Sequence, residues 1–155
     1  MNTNEQLIQQ FSYFATYADS LRLTDDEKWT VPIAKGKWSV RDIVAHMMLW
    51  DRYFLEGAIQ KITDQKRITT RELDFDEFNK RAVDYAKTKS KEEIIGEAIQ
   101  YRGEILNLLK SFTDEDFMKA HEDADGNLFT IHQYVNDFIW HDQHHIGQMK
   151  NFISN

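Results

Sequence analysis

The stretch TIHQYVNDFIWHDQHHIGQMKNFI, residues 130–153, decides how the rest of the chain is read. Its apolar residues Ile131, Tyr134, Val135, Phe138, Ile146, Met149 and Phe152 recur at the three- and four-residue spacing of one helix face. Thr130 and Gln133 form a capping-box pattern at its start, a pairing that satisfies free backbone N–H groups. A helix of about 20 residues spans about 30 Å, the width of a small domain. Burying so long a stripe takes partners of similar length.

Those partners can be read to either side. Asn4 to Ser20 places Leu7, Ile8, Phe11, Phe14, Ala15 and Ala18 at helical spacing. A second helix opens at the capping box Ser39-Val40-Arg41-Asp42 and runs to about Gln60, burying Val40, Ile43, Val44, Met47, Trp50, Phe54 and Ala58. Lys61 to Thr70 is charged and aperiodic, hence a loop. A shorter helix spans about Asp74 to Lys87, with Phe75, Phe78, Ala82 and Tyr85 on one side. Ser90-Lys91-Glu92-Glu93 caps another that ends near Ser111. Thr113 to Phe129 connects it to the final helix through the turn Asp125-Gly126-Asn127. Trp29 to Lys37 is too polar and too short for a strand. Four long helices and one short one predict an all-α helical bundle, a single domain over residues 1–155.

Composition narrows the function. One proline and six glycines leave little punctuation, which favours long helices. With no cysteine, disulfides, iron–sulfur clusters, thiolate zinc sites and cysteine nucleophiles are excluded. A net charge of −7 with scattered basic residues argues against nucleic acid, whose partners show a basic face. The N-terminal MNTNEQLIQQF has no basic-then-apolar pattern of a secretory signal, and no apolar run approaches a membrane span. A cytoplasmic location without membrane contact is expected. The aromatic content of 13% is enough to leave an apolar patch, so a homodimer is also an expectation.

The chemistry sits in His141-Asp142-Gln143-His144-His145. Residues four apart share a helix face, so His141 and His145 form a chelating pair. His145 lies inside the apolar stripe and His141 at its edge, both turned inward. His144 projects about 100° from His145, to the flank shared with Gln133, Trp140 and Asn151. His46, one turn before Trp50 and at the edge of its own stripe, is the third candidate ligand. His121 in the polar connection and His132 in a first helical turn are not expected to take part. Three neutral imidazoles leave a coordination position open, the arrangement of catalytic metal sites. Asp142 falls near the middle of the stripe, where a carboxylate needs a partner. A hydrogen bond or ion pair to another helix is the expectation, and orientation of an imidazole is the alternative. Gln148, one turn past His145, is placed to hydrogen-bond near the metal. Trp50 and Tyr53 are expected to be core, with a pocket wall as the alternative. Gly103 is expected to serve close helix packing.

Trp38-Ser39-Val40-Arg41-Asp42-Ile43-Val44-Ala45-His46, together with His141-Asp142-Gln143-His144-His145-Ile146-Gly147-Gln148, resembles the DinB/YfiT-like superfamily. The resemblance implies a four-helix bundle in up-down-down-up order. Its long crossover, between helices two and three, would contain the Asp74–Lys87 segment. It also implies a metal site on His46, His141 and His145, the three reached from spacing. A divalent transition metal would fill it, zinc or nickel first, with iron and manganese as further candidates. Activities in the superfamily imply a thiol-dependent transferase or a hydrolase acting on a small electrophile. A low-molecular-weight thiol would be the cosubstrate, since this chain has no thiol of its own. Phe75-Asp76-Glu77-Phe78-Asn79-Lys80, Ser90 to Ile95 and Leu108 to Phe117 are similar in part to the ClbS/DfsB subgroup, one member of which protects its producer from a reactive cyclopropane toxin. That likeness implies the alternative of a non-enzymatic small-molecule-binding or resistance protein.

Overall fold

Side-chain caps set where the long helices begin. Thr3, Ser39 and Ser90 each accept from the backbone N–H three residues on, and Gln6, Asp42 and Glu93 return the bond. The computed structural model describes residues 3–154. Its helices are α1 (Asn4–Ser20), α2 (Asp26–Thr30), α3 (Val40–Phe54), α4 (Gln60–Thr63), α5 (Phe75–Lys87), α6 (Lys91–Lys110), α7 (Asp114–Met118) and α8 (Ile131–Ile153). A two-residue hairpin pairs β1 (His121–Glu122) with β2 (Leu128–Phe129). The long helices α1, α3, α6 and α8 form a four-helix bundle in up-down-down-up order. Helix α5 lies in the crossover between α3 and α6.

Several local features differ from the sequence reading. Thr130 caps α8, but Gln133 turns away and donates to Asp137 Oδ1 at 2.7 Å, so that box is half formed. The second helix does not stop at Gln60: α3 passes through a π turn, Leu55–Ile59, into α4. The crossover lies against this turn. Thr69 N–H donates to Gly57 O at 2.9 Å, and a Cβ on Gly57 would stand 2.7 Å from Thr70 Cγ2. Gly57 is thus the packing glycine. Gly103, expected in that role, has open space where its Cβ would be. The short helices α2 and α7 and the small hairpin carried too few residues to show a period.

Helix α1 packs along α6 and α8, while α3 packs along α6 and α5. The interior divides into two apolar clusters. Phe14, Val44, Met47, Met48, Ile95 and Met149 belong to one, and Leu7, Phe11, Leu55, Ile105, Tyr134 and Val135 to the other. Between them lies a polar layer centred on Arg102, which is fully buried. No helix among the described residues is long and apolar enough to cross a membrane.

Candidate metal centre

Helices α3 and α8 bring three imidazoles together. His46 sits two turns into α3, and its register is set by the Ser39–Asp42 cap. His141 and His145 stand one turn apart on α8. His46 Nε2 and His145 Nε2 each lie 3.2 Å from His141 Nε2. The three ligand atoms fall within 4.8 Å of one another, and theirs is the one such group of three or more among the described residues.

The spacing can be tested against a metal. Zinc–nitrogen bonds of 2.0–2.1 Å set tetrahedral N···N edges of about 3.3 Å, so two contacts of 3.2 Å fit a common ion. Hydrogen bonding alone satisfies the group poorly. His145 Nδ1 faces the Gln148 amide oxygen at 3.1 Å, which places its proton on Nδ1 and leaves Nε2 a bare lone pair. His141 Nε2 then has one proton at most to share between two neighbours. A divalent cation is the natural occupant of such convergent lone pairs.

Electrostatics favour the neutral, ligating form. Burial lowers the pKa of His46 to about 4, with the neighbouring His145 adding to the effect. His141 is lowered to about 3, by burial first and then by His145, His46 and Arg102. His145 is lowered by burial, partly offset by Gln148. Aromatic rings wall the group: Trp38 is 5.0 Å from His46 and Phe138 is 5.3 Å from His141, centroid to centroid. Trp50 meets His46 edge-on at 6.4 Å. Beside His145 opens a cleft of about 210 Å³ lined by Ile33, Lys37, Trp38, Ile43 and Gln148. Its rim is the Ala34–Lys37 turn, closed by Lys37 N–H donating to Ala34 O at 3.0 Å, with Gly36 at φ +74°.

The remaining candidates fall outside the group. His144 is exposed and stacks on exposed Trp140 at 5.8 Å. His121 lies on β1, and His132 contacts Asn136. Trp50 is buried and stacks on Phe78 at 4.0 Å. Tyr53 pins the crossover, accepting from Arg71 N–H at 2.8 Å and donating to Arg71 O at 3.1 Å. Asp142 takes the expected interhelical partner and does not orient an imidazole. Its oxygens lie 2.7 and 3.2 Å from the Arg102 guanidinium, which also holds Asp51 at 2.7 and 3.0 Å and Phe11 O at 2.7 Å. Sequence reasoning missed Arg102 and Asp51. The signal was there for Arg102, which stands at the buried spacing of Ile95, Ala98, Ile105 and Leu109.

Known proteins share this arrangement of helices. The family model of the DinB superfamily matches residues 6–149. A relative from Bacillus licheniformis, named as a candidate metal-dependent hydrolase, is 27% identical over 127 residues, 81% of this chain and 70% of its own. Among solved structures, YfiT from Bacillus subtilis is described as a candidate metal-dependent hydrolase with an unusual four-helix bundle topology. It aligns with a TM-score of 0.76 at 19% identity, covering 98% of this chain and 88% of its own. An uncharacterised protein from Clostridium difficile aligns with a TM-score of 0.79 at 12% identity, covering 98% and 96%. A mycothiol-dependent maleylpyruvate isomerase aligns with a TM-score of 0.66 at 10% identity, covering 94% of this chain and 58% of its own. These likenesses carry the fold, and the family match spans nearly the whole sequence: the chain belongs to the DinB superfamily and shares the YfiT-like bundle.

Proposed function

We propose that this protein is a divalent-metal-dependent enzyme that adds water, or a thiol supplied by a cosubstrate, to a small electrophilic molecule. The observation that carries the reading is the convergence of three imidazole nitrogens, two of them 3.2 Å from the third and all within 4.8 Å of one another. A metal held there supplies Lewis acidity, lowering the pKa of a water or thiol bound beside it. The chain itself does the rest. His46, His141 and His145 act as ligands through Nε2, and Gln148 fixes the His145 ring through Nδ1. Trp38 and Phe138 limit access of bulk water. The cleft beside His145 admits the substrate, with Lys37 and Gln148 as its polar lining. Hydrolysis is the preferred reading, supported by what the Bacillus licheniformis relative is named for.

The test begins with elemental analysis of untagged protein, followed by stripping and reloading with zinc or nickel. Reloaded protein is assayed on activated esters and on a small alkylating electrophile, with and without added thiols. Metal-dependent ester cleavage supports hydrolysis, and metal-dependent consumption of thiol supports transfer. Tight, metal-independent ligand binding without turnover would replace both with a sequestering protein.

A further inference from the structure

Two buried polar atoms on packed helices lack a partner, and neither atom has a role yet in the bundle or the metal centre. Asn79 lies on α5, which packs against α3. Its Oδ1 is buried without a hydrogen-bond partner, and so is Nδ1 of His46. The next residue back, Phe78, stacks on Trp50 at 4.0 Å, which docks this part of the crossover helix beside the imidazole-bearing face of α3. Of the influences on His46, burial and His145 favour the neutral ring, whereas the Asn79 amide favours its N–H form. An unpaired amide oxygen, which can only accept, and an unpaired ring nitrogen, which can carry a proton, are thus complementary groups on two packed helices.

His145 shows what such an acceptor does. Gln148 Oε1 lies 3.1 Å from its Nδ1, while its Nε2 turns toward the shared centre. An acceptor behind a metal-binding imidazole fixes the tautomer and aims the ligating nitrogen. We infer that Asn79 is the matching positioning residue for His46: its amide oxygen takes the Nδ1 proton and holds the Nε2 lone pair toward His141 and His145. The inference rests on the metal-site reading above and deepens it. It gives the crossover helix a task, because α5 supplies no ligand yet controls how one ligand is presented.

The experiment is a Co²⁺ titration of the full chain against a competing chelator, read from the visible bands of the bound ion. Asn79→Leu keeps the size and removes the acceptor. It is expected to weaken Co²⁺ binding by about 10- to 100-fold, while Asn79→Asp, which restores an acceptor, binds at least as tightly as the wild type. Nitrogen spectra of the metal-free protein supply the second readout: His46 carries its proton on Nδ1 in the wild type and in Asn79→Asp, and shifts toward Nε2–H in Asn79→Leu. If Asn79→Leu does not fold, Asn79→Ala carries the same two readouts. Wild-type Co²⁺ affinity in the Leu variant with an unchanged His46 tautomer overturns the inference alone. A wild type that takes up no stoichiometric Co²⁺, and titrates like His46→Ala, overturns the metal reading and the inference with it.

Discussion

Two polar clusters interrupt the apolar interior, and helices α3 and α8 contribute to both. Helix α3 gives His46 to one and Asp51 to the other, and α8 gives His141 and His145 to one and Asp142 to the other. The Arg102 cluster is closed. All five guanidinium N–H donors are used, on Asp51, Asp142 and Phe11 O, and the guanidinium sits 3.8 Å from the Phe11 ring centroid. The histidine cluster is open, with three nitrogens aimed at one point and too few protons to satisfy them. His46 is buried like Arg102, Asp51 and Asp142, while His141 and His145 are half-buried, so depth alone does not separate the two clusters. The separation lies in whether the donors and acceptors balance within the chain.

The most severe way to break this comparison is to open the closed cluster. Arg102→Ala leaves two buried carboxylates without their cation and is expected to cost about 3–5 kcal/mol, much of a typical domain's 5–15 kcal/mol. Replacing Arg102, Asp51 and Asp142 together by apolar residues of similar size should cost far less. Denaturant unfolding measures both, and a mild Arg102→Ala would show that the cluster is not structural.

Next in size is metal removal. An ion bound only by the folded state at about 100 times its Kd adds about 2.7 kcal/mol, so a chelator should lower the melting temperature of loaded protein and leave metal-free protein unchanged. His46→Ala or His145→Ala should abolish both stoichiometric metal and this shift, whereas His144→Ala should keep them. Loss of metal in His144→Ala with retention in His145→Ala would mean that α8 presents its other flank.

The pH response is smaller and has opposite signs in the two clusters. His46 and His141 titrate near 4 and 3 when folded, against 6.5 ordinarily, so the folded state binds fewer protons than the unfolded and loses stability as pH falls below 6.5. Asp142 is raised from 3.8 to about 6, by burial against the pull of Arg102, so its charged form costs stability as pH rises through that window. Melting curves of metal-free protein should fall on the acid side, and in a His46→Gln, His141→Gln variant that fall should give way to the opposite slope left by Asp142. An unchanged acid limb would assign it to other groups. Metal should also survive to lower pH than with exposed imidazoles, because protons compete against these depressed values.

The smallest effect touches neither cluster. Gly103 follows Arg102 on a half-exposed stretch of α6 with free space at its Cβ. Gly103→Ala should stabilise by about 0.4–1 kcal/mol without altering metal affinity. The same change at Gly57, against Thr70, should destabilise. Thermal unfolding of the two variants checks whether the π turn packs as described.

What the sequence determined by itself was local. Helix periodicity, the boxes at Ser39 and Ser90, and the shared face of His141 and His145 depend on residues three or four apart, and backbone geometry makes such neighbours meet wherever the chain goes. His46 could be proposed because its inward placement is also a local property. The tertiary structure alone decided the pairings across helices. It placed His46 Nε2 3.2 Å from a nitrogen 95 residues away, gave Asp142 and Asp51 to one arginine, and packed α5, which carries Asn79, against α3. It also put a π turn where the crossover needed the Gly57 carbonyl. None of these follows from spacing, because a side chain shows which way it faces on its own helix and not what the packing of another helix brings opposite it.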